Sequence, residues 1–477
     1  MDAAPTQGTT GGLAALEAAI ARDLALIAYP EPRWVPERRT EAGEPILDVL
    51  VVGAGQGGLV TLFALMRDRV TNTLGIDRKP EGAEGPWRDF ARMVTLRSWK
   101  TVTGPDLDIP SLTFQSWFEA QWGGVAFTAL GKIPKGMWAD YLAWYRRMLS
   151  LPVRNGVELL SLAPCADGLA AHVREDGRES TIVARKLVLA TGIETPGRWW
   201  MPDFVSALPA HLRAHTGDAI DFHSLAGKHV AVLGAGASAF DNAATALEHG
   251  ARVTLCCRRP ELQRIQPYKQ ISHAGFFRGF PHLPDAQRWR WMNYLLSVRE
   301  AFPRETWERA SRHAGFALRT ATPWLGARAV GSGVEIDTPT GPLTADFIIC
   351  GTGFEMDVVA HPALAPHAPL IATWGDRYAP TSEGANPRLA RFPYLTPGFA
   401  LTERMPGTAP WLADVHIFSF GATVSFGPSG SSINAMKFAA PRLAQAIAAD
   451  LFAADAEAHY QALLAYDTPE FPLPGQG

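Results

Sequence analysis

The stretch "VLVVGAGQGGLV" (residues 49–60) runs apolar residues straight into a glycine cluster and then resumes an apolar pattern. Gly53, Gly55 and Gly58 form G-x-G-x-x-G after the strand-like "DVLVV" and before the helix-like "LVTLFALMRD". In that context the first glycine permits a tight turn, the second lets backbone amides approach a pyrophosphate, and the third lets helix pack on strand. The anion then rests on the positive end of a helix dipole. The next strand-like run, "TNTLGID", ends at Asp77, 77 − 53 = 24 residues past the first glycine. A carboxylate there accepts hydrogen bonds from ribose hydroxyls.

The arrangement recurs 234 − 53 = 181 residues later in "HVAVLGAGASAF" (229–240), with Gly234, Gly236 and Ala239. The end of its second strand differs. "RVTLCCRRP" (252–260) carries Cys257 and Arg258, then Arg259, where an acid would hold a ribose diol. A cation there pairs with a 2′-phosphate, so the second turn is expected to take NADPH and the first, with its acid, FAD. Two solvated arginines after a strand are the plainer reading of the same residues. "KLVLATG" (186–192) and "DFIICGTGF" (346–354) each read as a buried strand ending in a small-residue turn, and they bracket the second unit. The expected fold is α/β, with two nested Rossmann-like three-layer domains. An FAD-binding domain covers 45–192 and 346–477, an NADPH-binding domain is inserted at 193–345, and 1–44 form an N-terminal extension. That extension holds a helix-like "GLAALEAAIARDLALIAY" and a Pro-rich "PEPRWVP".

The 477 residues are 47% hydrophobic and 19% charged with a net charge of −3, ordinary for a globular protein with a sizeable core. No Lys/Arg run points to nucleic acid or an anionic membrane, so a small molecule is the expected partner, and a homo-oligomer is left open. The start lacks a signal-peptide pattern and no segment has the roughly 18 apolar residues of a membrane span, which sets a cytoplasmic expectation. The four cysteines, Cys165, Cys256, Cys257 and Cys350, make no C-x-x-C and no zinc spacing, so no metal is expected. Cys256, Cys257 and Cys350 lie in apolar strand-like runs and read as buried small hydrophobes.

With "GPW" (85–87), "ATG" (190–192) and "AHTGD" (214–218) added to the two turns, the chain resembles the flavoprotein monooxygenases with two dinucleotide-binding domains. These include flavin-containing monooxygenases, Baeyer–Villiger enzymes and ornithine/lysine N-hydroxylases, and the likeness covers most of residues 45–440. It implies an oxidoreductase with FAD, NADPH and O2 that inserts one oxygen atom into a small organic substrate through a flavin C4a-(hydro)peroxide. It also implies that Trp87 walls the flavin, that Ser238 with the turn amides holds the NADP pyrophosphate, and that His215 orients the domain junction. The Baeyer–Villiger fingerprint F-x-G-x-x-x-H would need Phe and Gly where the chain has Pro209 and His211. Hydroxylation of an amine or a nitrogen heterocycle is the favoured expectation, with a sulfide or a ketone also open.

"LRSWKTVTG" (96–104) and "IPKGMWADYLAWYRRML" (133–149) resemble the flavin-side segment of the N-hydroxylases and the helix after it. The resemblance puts Arg97 and Lys100 at the substrate pocket, with Lys100 contacting substrate, although Trp-Lys-Thr stands where that family has Leu-Lys-Asp. Met137, Trp138, Tyr141, Leu142, Tyr145, Met148 and Leu149 recur at helical spacing and read as core. Near the C-terminus, "FGATVSFGPSGSSINAMK" (420–437) opens an Ala-rich helix; by resemblance its start faces the flavin pyrimidine, and capping by Ser431 or Ser432 explains the same residues. Residues 261–325 exceed a minimal NADPH domain and read as an aromatic lid or a structural elaboration. An NADPH-dependent flavoprotein reductase and a non-catalytic flavin-binding redox sensor remain alternatives; the missing C-x-x-C speaks against thiol chemistry.

Overall fold

The computed structural model describes residues 12–28, 33–193, 195–298 and 300–471. The strand of the first glycine turn, Leu47–Val52, is almost wholly buried, as a Val/Leu run must be when helices cover both faces of its sheet. It pairs in parallel with Thr73–Asp77 on one side and Arg178–Leu189 on the other. Val153–Asn155 extends the parallel edge beyond Thr73–Asp77. On the far side Arg178–Leu189 enters an antiparallel meander with Gly168–Glu175 and Val157–Cys165, while its C-terminal end pairs with Val415–Ile417, completing a seven-stranded sheet. Helix Gln56–Arg67 leaves the glycine turn and packs with helix Ile433–Ala454, so both ends of the chain build this unit.

The second glycine turn sits in a five-stranded parallel sheet ordered Phe316–Arg319, Arg252–Cys256, His229–Leu233, Phe347–Cys350, Arg213–His215. The expected boundary at 346 is therefore too early. Phe347–Cys350 is buried between His229–Leu233 and Arg213–His215, and its apolar run serves the second sheet, not the first. The passage back runs through Phe354–Met356, which pairs antiparallel with Gly197–Trp199 from the outward passage. The two crossings thus lie side by side as one short ribbon.

The N-terminal extension is docked. Helix Gly12–Leu26 buries Ile20 completely and packs Leu13, Leu16 and Leu24 on the core of the first unit. The Trp144 indole donates to Glu17 Oε1 at 2.9 Å and holds the helix to Lys135–Met148. Residues 30–32, which open the Pro-rich run, lie outside the described residues; beyond them the Trp34 indole donates to the Asp68 carbonyl at 2.8 Å.

Much of 261–325 is ordinary second-unit structure, because helix Arg304–Ser311 packs on helix Ala237–Glu248 and Phe316–Arg319 is a sheet strand. The true addition is the helical stretch from Pro267 to Val298. Its Phe276, Phe277, Phe280 and Trp289 share a core with Trp374, Phe392 and Val424 of the first unit. The addition therefore reaches across from the second unit to the C-terminal part of the first. Trp138, Tyr141, Leu142 and Tyr145 are buried core residues, with the Tyr141 and Tyr145 hydroxyls donating to the carbonyls of Leu112 (2.7 Å) and Pro105 (2.6 Å). Among the described residues no helix is long and apolar enough to cross a membrane.

Candidate functional site

Steric demand explains two of the three glycines in the first turn. Gly53 has φ +96° and a Cβ there would lie 2.5 Å from the Ala190 carbonyl oxygen; a Cβ on Gly58 would lie 1.8 Å from the Gly53 carbonyl oxygen. The protein itself leaves room at Gly55, where the nearest atom to an added Cβ would be Gly85 Cα at 3.6 Å. That open side is where a close-approaching pyrophosphate requires the missing side chain. Helix Gln56–Arg67 starts at Gly55 with no side-chain cap, leaving its first-turn amides to an anion. Asp77, 9% exposed, is oriented at the turn by accepting from the Ala54 amide at 2.8 Å and the Lys79 amide at 2.8 Å. Trp87 lines the same cleft beside Ala54, Gly55, Glu84 and Arg146. Among the described residues its buried indole nitrogen has no hydrogen-bond partner, and neither has the buried Thr191 hydroxyl of "ATG". A cradle that a Cβ would fill, an acid at the second strand end and orphaned donors fit FAD.

The second turn solves the same packing problem with a different residue. Gly234 has φ +116° and a Cβ there would meet the Gly351 carbonyl oxygen at 2.4 Å. Ala239, standing where the first turn has its third glycine, presses its methyl towards Gly351: a Cβ on Gly351 would lie 2.4 Å from the Ala239 Cβ. Gly351 is thus part of the nucleotide turn, although it lies far away in sequence. Gly236 is exposed with nothing within 4 Å of an added Cβ, Ser238 is exposed beside it, and helix Ala237–Glu248 has no side-chain cap. The two arginines part company. Arg259 is committed to the end of helix Asp285–Val298, donating to the carbonyls of Ser297 (2.6 Å) and Val298 (2.8 Å). Arg258 is exposed and makes no ion pair among the described residues, so it alone is available to a 2′-phosphate.

His215 is buried at the junction, 1% exposed, with its ring 5.0 Å from the Trp199 ring of the outward crossing. Nδ1 accepts from the Gly217 amide at 3.0 Å. Burial lowers its pKa to about 4 against the opposing pull of Asp218 and the Gly353 backbone, so it is neutral at physiological pH. A neutral ring between the two crossings suits orientation of the junction.

Arg97 and Lys100 occupy places that the sequence does not reveal. Arg97 bridges the two units, pairing with Glu300 at 2.7 Å and reaching Asp241 of helix Ala237–Glu248 at 3.8 Å. Lys100 corrects the substrate-contact expectation. Its ammonium donates to the carbonyls of Phe127 (2.7 Å), Thr128 (2.8 Å) and Leu130 (2.7 Å), which uses all three protons to close helix Phe114–Ala129. None is left for a substrate carboxylate.

Helix Ile433–Ala454 starts beside the first turn: a Cβ on Gly57 would approach the Gly430 carbonyl oxygen at 3.7 Å, and one on Gly104 would lie 1.9 Å from that of Ile433. Ser432 is at the N-cap position but its hydroxyl donates to Asn434 Oδ1 at 2.6 Å rather than accepting from an amide. Capping therefore does not account for the serine-rich start. The buried Ser429 hydroxyl, in the turn before the helix, also has no partner among the described residues.

The cysteines do not offer a redox pair. All four are free; burial raises the thiols of Cys256 and Cys257 and pushes Cys350 up to about 12. Such thiols are inert towards disulfide exchange at neutral pH.

A family described as pyridine nucleotide-disulphide oxidoreductase matches residues 50–273. The FAD-dependent urate hydroxylase of Xanthomonas campestris pv. campestris is 44% identical over 462 residues, covering 96% of this chain and 97% of that protein. Among solved structures, the ornithine hydroxylase of Pseudomonas aeruginosa superposes with TM-score 0.66 at 16% identity, covering 85% of this chain and 100% of that one. The bacillithiol disulfide reductase of Staphylococcus aureus gives 0.56 at 14% identity over 85% and 98%. Structural likeness alone therefore spans oxygenases and reductases, and the sequence relative decides between them. The chain belongs to the flavoprotein monooxygenase family that contains the FAD-dependent urate hydroxylase of Xanthomonas, and is an FAD-dependent monooxygenase that hydroxylates a small substrate.

Proposed function

We propose that this protein hydroxylates urate, using NADPH and O2, with FAD at the Gly53–Gly58 turn and NADPH at the Gly234–Ala239 turn. The observation that carries the reading is the 44% identity to a urate hydroxylase across 96% of the chain, joined to two sterically intact nucleotide turns. Urate is a nitrogen heterocycle, one of the two substrate classes, with amines, that the sequence reading favours. FAD, when bound and reduced by NADPH, supplies the activation of O2. The chain's own part is positioning. Asp77 accepts from the FAD ribose, Arg258 pairs with the 2′-phosphate, and neutral His215 beside Trp199 sets the hinge between the two nucleotide units. The Pro267–Val298 addition roofs the C-terminal part of the first unit and keeps water out.

The test is a substrate panel. The FAD-loaded protein is given NADPH with urate, a primary amine, a sulfide or a ketone, and NADPH consumption, H2O2 release and oxygenated product are measured. Urate is expected to accelerate NADPH oxidation and lower the H2O2 fraction. Acceleration by another panel member and none by urate would overturn the assignment.

A further inference from the structure

The two nucleotide turns differ at the residue after the second glycine. Three places past the first glycine, the FAD turn has Gln56 (56 − 53 = 3) and the NADPH turn has Ala237 (237 − 234 = 3). Each is the first residue of its helix, Gln56–Arg67 or Ala237–Glu248, and neither helix has a side-chain cap. Ala237 is buried and has only a methyl group to offer. Gln56 is half-buried, and its carboxamide carries two N–H donors.

A tryptophan decides which way that carboxamide faces. The Trp138 indole donates to Gln56 Oε1 at 3.2 Å. An indole N–H can only donate, so the oxygen is committed to Trp138 and the NH2 group is turned away from it. Trp138 is itself fixed: it is 1% exposed, stands in helix Lys135–Met148 and meets the Trp87 ring edge-on at 6.5 Å. The same helix lends Ala139, Leu142 and Ala143 to the cleft that Gly55 and Trp87 line. Among the described residues the Gln56 NH2 group has no acceptor, and it is not sealed in the core as the Trp87 indole nitrogen is. A donor held in one orientation next to the open side of Gly55 suits a phosphate oxygen, because little side-chain freedom remains to be lost when the anion arrives.

We propose that Gln56, oriented by Trp138, donates to the FAD pyrophosphate and forms a retention arm that the NADPH turn lacks. The asymmetry matches what the two nucleotides do: FAD stays with the enzyme through successive turnovers, whereas NADP+ leaves after each. The turn amides are common to both sites, and the extra side-chain donor is confined to the site whose nucleotide stays.

The experiment titrates the FAD-depleted full-length protein with FAD at low and high salt, for the wild type, Gln56→Leu, Gln56→Glu, Trp138→Phe and the Gln56→Leu/Trp138→Phe double variant. The Tm of each apoprotein and the absorbance spectrum of the bound flavin are recorded alongside the Kd. Gln56→Leu keeps the bulk without the donor and is expected to raise the FAD Kd about tenfold or more, as for a lost hydrogen bond to a charged group. Gln56→Glu still accepts from Trp138 and places an acid in the first turn of the helix, so the apoprotein should keep its Tm. Its FAD Kd should nevertheless rise more than that of Gln56→Leu, with the excess shrinking at high salt. Trp138→Phe should raise the Kd by a smaller factor, and adding Gln56→Leu to it should cost less than it does alone. A Gln56→Glu protein that binds FAD as tightly as the wild type overturns the proposal, and so does a rise in Kd that only follows a fall in Tm. A shift of the flavin absorbance maxima with the Kd unchanged would put the donor on the flavin ring and overturns it too. Should Trp138→Phe fail to fold, the two Gln56 variants decide.

Discussion

At the scale of single residues, the two consecutive arginines after the second strand have separate tasks, and substitution should separate them. Arg258→Ala should lower the NADPH/NADH ratio of kcat/KM roughly ten- to a hundredfold, as expected for losing a charge-assisted contact of about 1.5–3 kcal/mol. Arg259→Ala should leave that ratio alone and lower Tm, because its guanidinium holds the carbonyls of Ser297 and Val298. Equal effects of both on cofactor choice would contradict the division. Lys100 gives a second contrast. Lys100→Ala should cost about 1–3 kcal/mol of stability by stripping the carbonyls of Phe127, Thr128 and Leu130 of their donor, and leave the urate KM unchanged. A denaturation curve and a KM measurement on the same preparation check both halves. The lysine was misread from sequence because the end of helix Phe114–Ala129 lies about thirty residues away in the chain. A tertiary contact of this kind leaves no local pattern.

At the scale of elements, the nucleotide turns were legible because their spacing is a covalent matter: strand, tight turn and helix follow one another without interruption. Their tertiary halves were not. Ala239 can stand in for a third glycine because Gly351, in the turn just after strand Phe347–Cys350 and more than a hundred residues further on, leaves space for its methyl. Gly351→Ala should therefore overpack the turn, at about 1–3 kcal/mol, and weaken NADPH binding. Adding Ala239→Gly should recover part of the loss, although glycine in a helix itself costs about 1 kcal/mol. A double-variant cycle by thermal unfolding measures this coupling; strict additivity would show that the two residues do not meet. The same limit explains the boundary at 346. An apolar strand ending in a small-residue turn fits either sheet equally, and only pairing with His229–Leu233 and Arg213–His215 assigns Phe347–Cys350. The docking of helix Gly12–Leu26 through Ile20 was hidden for the same reason.

For the whole molecule, pH offers a test of how the buried histidines are held. Burial lowers His215, His361 and His416 to about 4 from the model-peptide value of 6.5. The unfolded chain then takes up protons at these positions near pH 6.5 while the native protein does not, so their contribution is intact above pH 6.5 and is lost as pH falls towards 4. Asp48, raised by burial to about 6 despite Arg185, works the other way, because below pH 6 the native state binds a proton that the unfolded chain takes up only near 3.8. Asp68, Asp106 and Asp241, also raised by burial, act with Asp48, so the histidine contribution is read by difference: on going from pH 7 to pH 5 the wild type is expected to lose more Tm, or gain less, than His361→Gln, and identical profiles would show that this ring is not held neutral. The joint between the units is polar as well, with Arg97 spanning to Glu300 and Asp241 and Lys132 pairing with Glu305 at 3.2 Å. Arg97→Ala is expected to slow flavin reduction by NADPH without loss of flavin, measured by stopped-flow absorbance; an unchanged rate would show that the bridge does not set the alignment of the units. The central claim, that this chain places one oxygen atom from O2 on urate, is tested most directly by running the reaction with NADPH under 18O2 and taking the mass of the urate-derived product. One 18O atom is expected in the hydroxylated product, with product formed in step with urate-dependent NADPH oxidation. Recovery of all the label as H2O2, with urate unaltered, would contradict it.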